Sequence, residues 1–471
     1  MKIRSVFTNS GGILLSRIFG FVRDLMMASI LGANLYSDIF FVAFKLPNLF
    51  RRIFGEGAFA QSFLPSFIAS RYKTIFAARI LLIFLGIIIL LALFVDLFAA
   101  PITRIIAPGF DAQAAATAAR FVAIQFWYLP LIFLVTFLGA LLQWKEHFAT
   151  TAFATVLLNI AIIAGLLISR GMPKEQILAI LSWSVLAGGA LQLLAHLLMA
   201  RRFRLLRMLG IGFASLGRHG RKVAQESRRF FANFFPAIWG NSTAQVMAFL
   251  DTWLASFLVS GSISYLYYAN RIFQLPLALF AIALSTALFP SVAKLLRHHD
   301  EEGALREMKR GFWILLTLLS LATLGGIIFS TEIIWLLFER GAFGRADTLE
   351  TANVLRMYLL GLLPFGLGKL FSLWLYSRHE QMQAARIATW SLGGYMVVAL
   401  ALFQPLGAMG LALASTASGF VSFGLLLRSF GREKLRRLWD PRRALLLTGL
   451  LLGIAIIMVG IHRLFYGWIG I

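Results

Sequence analysis

Residues 80–95 read ILLIFLGIIILLALFV, an uncharged apolar run that with its flanks is long enough to cross a lipid bilayer. Similar runs recur along the 471 residues, and 59% of the chain is hydrophobic. Because a water-soluble protein cannot bury so much apolar surface, most of these segments must face lipid or one another. The sequence therefore predicts an all-α polytopic membrane protein.

Thirteen apolar segments of roughly twenty residues or more are predicted to span the membrane. Lys and Arg collect in alternate connections, so the positive-inside rule puts the N-terminus in the cytoplasm. The net charge of +24 is explained by these loops facing anionic membrane lipids, and no nucleic-acid partner is expected. The predicted spans are 7–31, 36–69, 77–100, 120–143, 147–169, 176–200, 232–259, 263–295, 310–331, 351–377, 384–404, 407–428 and 443–466.

Two stretches of the sequence resemble each other. ASILGANLYSDIFFVAFKLP begins four residues after Asp24, and ASFLVSGSISYLYYANRIFQLP begins four residues after Asp251. Such a repeat, with six helices in each copy, predicts two lobes of the same orientation around a central cavity. The predicted organisation is an N-terminal lobe at 1–200, an amphipathic basic linker at 201–231, a C-terminal lobe at 232–428 and one additional helix within 429–471.

Charged residues interrupt the first, second and eighth predicted helices, where a charge facing lipid costs several kcal/mol. Cations outnumber acids, so ion pairs among them leave a positive surplus that an anion would complete. The planar guanidinium of arginine suits phosphate oxygens. The alternative is that these charges only pair with one another inside the bundle. The cations are Arg17, Arg23, Lys45, Arg51, Arg52 and Arg271, and the acids are Asp24, Asp38 and Glu56.

Two local patterns refine this prediction. Gly12, Ser16 and Gly20 form a ridge of small residues, which lets another helix approach the first one closely. Asn48 lies on or near the stripe of Lys45 and Arg52, so it is a further candidate for contact with the substrate.

The sequence contains no enzyme signature. Cysteine is absent, and no histidine stands in a known catalytic or zinc-binding pattern, so neither an enzyme nor a bound cofactor is expected. Asp251, within the seventh predicted helix, either pairs with a cation or forms part of a cation site, and both readings stay open.

Five segments together resemble the MurJ (MviN) family, bacterial lipid II flippases of the multidrug/oligosaccharidyl-lipid/polysaccharide exporter superfamily. They are SRIFGFVRD, SDIFFVAFKLPNLFRRIFGEGAFAQSFLP, SYLYYANRIFQLP, LFPS and LYSRHE.

The resemblance implies alternating access that moves lipid II, an undecaprenyl-diphosphate-linked disaccharide-peptide, across the bacterial inner membrane. It also implies a monomer that works beside the cell-wall synthesis machinery. By the family pattern, Arg17, Arg23, Arg51 and Arg271 hold the diphosphate, and Asp24, Asp38 and Glu56 form gating pairs.

A sodium site is known in some members of the family. Asp251 matches its acid on the seventh helix and Thr416 offers an oxygen, but IATWSLGGYMVVALALF on the eleventh helix supplies no acid.

Three other functions remain open at this point. The chain is alternatively an exporter of another polyprenyl-diphosphate-linked saccharide, or a cation-coupled drug exporter. An exporter of cationic drugs should line its cavity with acids, which is the opposite sign. The third alternative is a non-transporting scaffold that recruits cell-wall enzymes through the basic linker at 201–231.

Overall fold

The computed structural model describes residues 3–54, 58–378 and 380–469, and every regular element within them is a helix. This confirms the predicted all-α class. Grouped by contacts, the chain forms two units, Met1–Ser260 with Arg340–Phe343, and Gly261–Glu339 with Gly344–Ile471.

The first unit contains eleven α-helices in its described part and a short 3-10 helix, Gly220–Val223, before the last of them. The α-helices are α1 (Ile3–Leu31), α2 (Leu35–Phe54), α3 (Ala58–Ala69), α4 (Lys73–Leu97), α5 (Ala99–Ile106), α6 (Ala112–Phe126), α7 (Tyr128–Trp144), α8 (Ala149–Ile168), α9 (Lys174–Arg202), α10 (Leu205–His219) and α11 (Ala224–Ala255).

The second unit has nine α-helices in its described part, and a π-helical turn, Leu277–Ile282, joins the first two. They are α12 (Ser262–Pro276), α13 (Ala283–Arg297), α14 (Glu301–Ile328), α15 (Ser330–Phe338), α16 (Arg345–Leu359), α17 (Leu362–Ser377), α18 (Gln381–Phe430), α19 (Arg432–Leu438) and α20 (Pro441–Ile469).

Nine helical segments of the described chain are long and apolar enough to cross a membrane, against the thirteen spans predicted. Two predicted spans merge in α18, although Gly407 with a φ of +56° interrupts that helix between them. The other spans outside the nine are α1, α2 with α3, and α11. Charged and polar side chains lower the hydropathy of α1 and α2, as expected for helices that face a polar cavity.

A cluster of phenylalanine rings forms much of the core of the first unit. Phe59 of α3 packs against Phe84 of α4 and Phe133 of α7, with ring centroids 5.2 and 5.4 Å apart. Phe234 of α11 lies 5.1 Å from Phe84. These contacts explain why α11 groups with the first unit, whereas the repeat assigns residues 232–260 to the second lobe. The lobe boundaries derived from the repeat stay a prediction.

The linker at 201–231 contains α10, which is amphipathic as the sequence indicates. Leu205, Leu209 and Gly212 are buried, and Gly212 contacts the backbone of Thr74 at the start of α4. Arg207 on the same helix is exposed. The linker therefore packs along the first unit and turns its basic residues outward.

The short helix α19, before the last helix, packs against α14 within the second unit. Trp313 of α14 donates from Nε1 to the backbone oxygen of Leu438 at 3.1 Å, and Lys434 pairs with Glu301 at 2.9 Å. These contacts fix the position of the turn between α19 and α20. The additional C-terminal helix expected at 443–466 is therefore present as α20.

Candidate functional site

Arg17 of α1 and Arg51 of α2 line one cavity of about 570 Å³ in the first unit. Sites for small molecules span about 300–1,000 Å³, so this volume suits a headgroup fragment. The described lining residues include two guanidinium groups and no carboxylate, which gives the cavity a positive character. The other lining residues are Ile13, Ser16, Gln143, Phe148, Thr151, Ala152 and Thr155.

Close packing of α1 on α8 places Arg17 at this cavity. A Cβ on Gly12 would lie 2.7 Å from Cβ of Ala152, so only glycine allows the helices to approach this far. Two turns further along α8, Asn159 donates from Nδ2 to the backbone oxygen of Ser16 at 3.2 Å. The predicted ridge of small residues is confirmed as the surface that meets α8.

Arg51 is oriented by a side chain one turn earlier on α2. Its Nε and Nη2 both donate to Oδ1 of Asn48, at 3.1 and 2.9 Å. Arg51 also stands in the last turn of the described helix, where a positive charge interacts favourably with the helix dipole. Asn48, predicted as a substrate contact, is thus placed to position Arg51.

Arg23 is held away from the described lining of the cavity by an ion pair. Its Nη2 lies 2.7 Å from Oδ1 of Asp24, and its Nη1 donates to Oδ1 of Asn159 at 3.0 Å. Asp24 is almost fully buried, with 2% of its side chain exposed. The pair therefore neutralises both charges inside the unit, and Asn159 connects it to α8.

Two further cations of α2 interact with residues of α11. Lys45 interacts electrostatically with Asp251, and Arg52 donates from Nη1 to Oε1 of Gln245 at 3.3 Å. This attraction supports the pairing reading of Asp251, and the cation-site reading stays a prediction.

Three other predicted residues, Asp38, Arg271 and Thr416, are not among the described residues that line the Arg17–Arg51 cavity. Asp38 is buried in the first turn of α2, and Glu56 falls outside the described residues. In the second unit, Arg271 donates from Nη2 to the hydroxyl of Tyr267 at 2.6 Å and packs over its ring. The hydroxyl of Thr416 donates at 2.6 Å to a backbone oxygen of α16.

The polar face of α8 escaped the sequence analysis. Thr151 and Thr155 line the cavity, and Asn159 bonds to both Arg23 and α1. Their spacing of four residues puts them on one face of a helix. The spacing is visible in the sequence, but threonine is common in membrane helices. Only the position of α1 shows that this face of α8, and not another, lines the cavity.

A metal centre built from several acids or histidines is not found in the described part of the chain, where no three His, Asp or Glu side chains come together. Asp251 and Thr416 as sodium ligands therefore stay a prediction from the family resemblance.

Comparison with known proteins concerns the chain as a whole. The family described as lipid II flippase MurJ matches residues 27–469. A probable lipid II flippase MurJ from Helicobacter pylori is 50% identical over 414 residues, which cover 86% of this chain and 90% of the relative.

Solved structures show the same fold. A lipid II flippase MurJ in an inward closed conformation aligns with a TM-score of 0.78 and 23% identity, over 98% of this chain and 99% of the other. An inward-facing multidrug resistance MATE family transporter of the MOP superfamily aligns with a TM-score of 0.69 and 13% identity, over 90% and 95% of the two chains.

Proposed function

Since this chain belongs to the MurJ family of lipid II flippases, we propose that it moves lipid II across the bacterial inner membrane, from the cytoplasmic to the periplasmic leaflet. The observation that carries the proposal is the presence of Arg17 and Arg51 in one cavity. In this mechanism both guanidinium groups contact the diphosphate of the substrate.

The electrostatics of the cavity favour an anion over a cation. Arg17 makes no hydrogen bond or ion pair with any described residue, and so its five N–H donors are available to a ligand. Arg51 presents a second guanidinium oriented by the uncharged amide of Asn48. Charge-assisted hydrogen bonds from arginine to phosphate oxygens are about twice as strong as those between neutral groups.

The uncharged lining suits the rest of a sugar-diphosphate headgroup. Ser16, Gln143, Thr151 and Thr155 add hydroxyl and amide groups beside the two arginines. These groups hydrogen-bond both phosphate and sugar oxygens. A cationic drug would face two positive charges here, so drug export is the weaker alternative despite the likeness to a MATE transporter.

Alternating access completes the proposal. The headgroup enters from the cytoplasm, where the N-terminus is placed by the positive-inside rule, and leaves on the opposite side. Arg271 as a further phosphate contact, Asp24, Asp38 and Glu56 as gating partners, sodium coupling, a monomeric state and contact with the cell-wall machinery remain predictions from the family resemblance.

The decisive experiment measures arrival of lipid II at the outer leaflet in sealed vesicles for Arg17→Ala, Arg51→Ala and a control. Arg120→Ala is the matched control, because Arg120 is exposed on α6 and pairs only with Glu175 among the described residues. We expect at least a tenfold loss in the two cavity variants and a normal rate in the control. Normal rates in all three properly inserted variants would overturn the proposal.

The same vesicles distinguish the alternatives. A polyprenyl-diphosphate carrying a different saccharide should compete with lipid II only weakly if this chain is selective for peptidoglycan precursor. Preferential transport of that other lipid would favour the alternative exporter. Loss of function on deleting part of 201–231, with full tolerance of both arginine substitutions, would favour the scaffold.

A further inference from the structure

A second concavity, of about 410 Å³, lies between α8 and α9 and is almost wholly apolar. Phe153 and Leu198 leave 39% and 57% of their surfaces exposed at its edge, so it is an open groove. Thr150 is the one lining residue with a polar side chain in the described set. The other lining residues are Phe153, Ala154, Val156, Leu157, Ala195, Leu198 and Met199.

The groove is separate from the cavity of Arg17 and Arg51, although both involve α8. Thr150, Phe153 and Leu157 follow the spacing of one helix face, whereas Thr151 and Thr155 lie on the face that lines the arginine cavity. The body of α8 thus stands between the two. An apolar concavity of this kind is a poor site for water and a good one for hydrocarbon.

The groove lies at one end of the helix pair. Thr150 stands in the first turn of α8, and Met199 stands in the last turn of α9, which ends at Arg202. The positive-inside rule assigns this end to the cytoplasmic surface. Trp144 and Lys145, just before α8, pack together with the ammonium 3.9 Å from the ring centroid, an arrangement typical of a membrane–water interface.

Basic residues stand in the chain connections at this end of the helix pair. His147 bonds through Nε2 to the hydroxyl of Thr150 at 2.8 Å, and its ring packs 5.2 Å from Phe203. Burial and the positive charge of Arg202 both lower the pKa of His147, so Arg202 acts close to a residue that touches the groove lining. The exposed charged residues of the two connections are Lys145, Glu146, Arg201, Arg202 and Arg204.

We propose that this groove binds one acyl chain of an anionic phospholipid of the cytoplasmic leaflet, whose phosphate contacts Arg201 and Arg202. The exposed charged residues of the two connections form the rim of the groove. This rim has four basic side chains and the single acid Glu146, so its net positive charge matches such a headgroup. The apolar lining beneath matches the chain attached to it. A zwitterionic lipid fills the same groove but binds more weakly, because its headgroup has no net charge to interact with the rim.

The experiment uses the full-length protein in phosphatidylcholine nanodiscs with a trace of a lipid probe that carries a photoactivatable group in one acyl chain. Phosphatidylglycerol and phosphatidylcholine forms of the probe are compared, and labelled residues are mapped by mass spectrometry. We expect the anionic probe to label the groove-lining residues of α8 and α9 more strongly, by about fivefold for each basic residue that contacts it.

Three variants separate the two parts of the site. Arg201→Gln with Arg202→Gln removes the charge and should abolish the headgroup preference. Ala195→Phe fills the groove and should suppress labelling by both probes. Arg432→Gln with Arg436→Gln is the matched control, because both arginines are exposed on α19 in the second unit.

Four results would each overturn the site. They are equal labelling by the two probes in the unmodified protein, a headgroup preference that survives loss of Arg201 and Arg202, groove labelling that persists in the filled variant, and groove labelling by neither probe. The last result would favour cover by a second copy of the chain. Lipid II transport is measured in the same variants. If a variant loses labelling but transports lipid II at the normal rate, the proposed function is unaffected, and the labelling results alone decide whether the lipid site exists.

Discussion

Arg51 donates two hydrogen bonds to the same amide oxygen of Asn48, from Nε at 3.1 Å and from Nη2 at 2.9 Å. Both residues belong to α2 and lie one turn apart, so the contact forms within a single helix. It fixes the plane of the guanidinium at the wall of the arginine cavity. Because the acceptor is an uncharged amide, replacing it with a carboxylate tests whether the cavity binds an anion.

Asn48→Asp should impair transport more than Asn48→Ala does. Alanine only frees the guanidinium to move, whereas aspartate keeps its position and adds a negative charge beside the phosphate site. We expect about a tenfold loss in rate for aspartate and a smaller loss for alanine. Initial rates of lipid II arrival in vesicles measure both, and a faster aspartate variant would contradict this role for Asn48.

Arg17 and Arg51 should act on the same ligand. If both guanidinium groups contact one diphosphate, the losses from Arg17→Ala and Arg51→Ala should be non-additive in the double variant, with a coupling of about 0.5–3 kcal/mol. Affinity for a soluble diphosphate probe such as inorganic pyrophosphate, measured for the two single variants and the double variant, gives this coupling. Strict additivity would mean that the two residues serve separate sites.

Asp24→Ala should destabilise the first unit by about 3–5 kcal/mol, because it leaves the charge of Arg23 without its buried partner. Pairing Asp24→Ala with Arg23→Leu should recover part of this loss, since no lone charge then remains. Thermal unfolding in detergent measures the free-energy change. An Asp24→Ala variant that melts at the normal temperature would show that the pair contributes little.

Neighbouring glycines of α1 should respond in opposite directions to alanine. Gly12→Ala places a Cβ 2.7 Å from Cβ of Ala152 and should cost about 1–3 kcal/mol by forcing α1 away from α8. Gly11 has nothing within 4 Å of the same added atom, so Gly11→Ala should be neutral or stabilise by up to about 1 kcal/mol. Melting temperatures of the two variants provide the comparison.

Lys45 and Asp251 should tolerate exchange better than either single reversal. Lys45→Asp or Asp251→Lys alone brings two like charges together, whereas the double exchange restores an opposite pair. Transport of lipid II in vesicles, measured in sodium and in potassium buffers, also tests whether Asp251 forms part of a sodium site. Rates that are equal in both buffers favour pairing, and a strict requirement for sodium together with a failed exchange favours the cation site.

The sequence by itself determined the all-helical membrane class, most of the helix positions and the family. Long apolar runs leave the backbone no stable alternative to helices in lipid, and Gly12, Ser16 and Gly20 indicated the face of α1 that a neighbour meets. The sequence also identified Arg17 and Arg51 as candidate cavity residues, because charges at membrane depth must face protein or water.

Only the tertiary structure decided which of these charges belong together. The sequence and its family pattern predict the same phosphate-binding role for Arg17 and Arg23. In the structure, Asp24 and Asn159 bind Arg23, whereas Arg17 lines the cavity. Asp24 is the next residue along α1, but the second acceptor, Asn159, comes from α8, far along the chain. Whether a charge is paired or available depends partly on atoms of other helices, which only folding brings within hydrogen-bonding distance, and periodicity along one helix carries no information about those atoms.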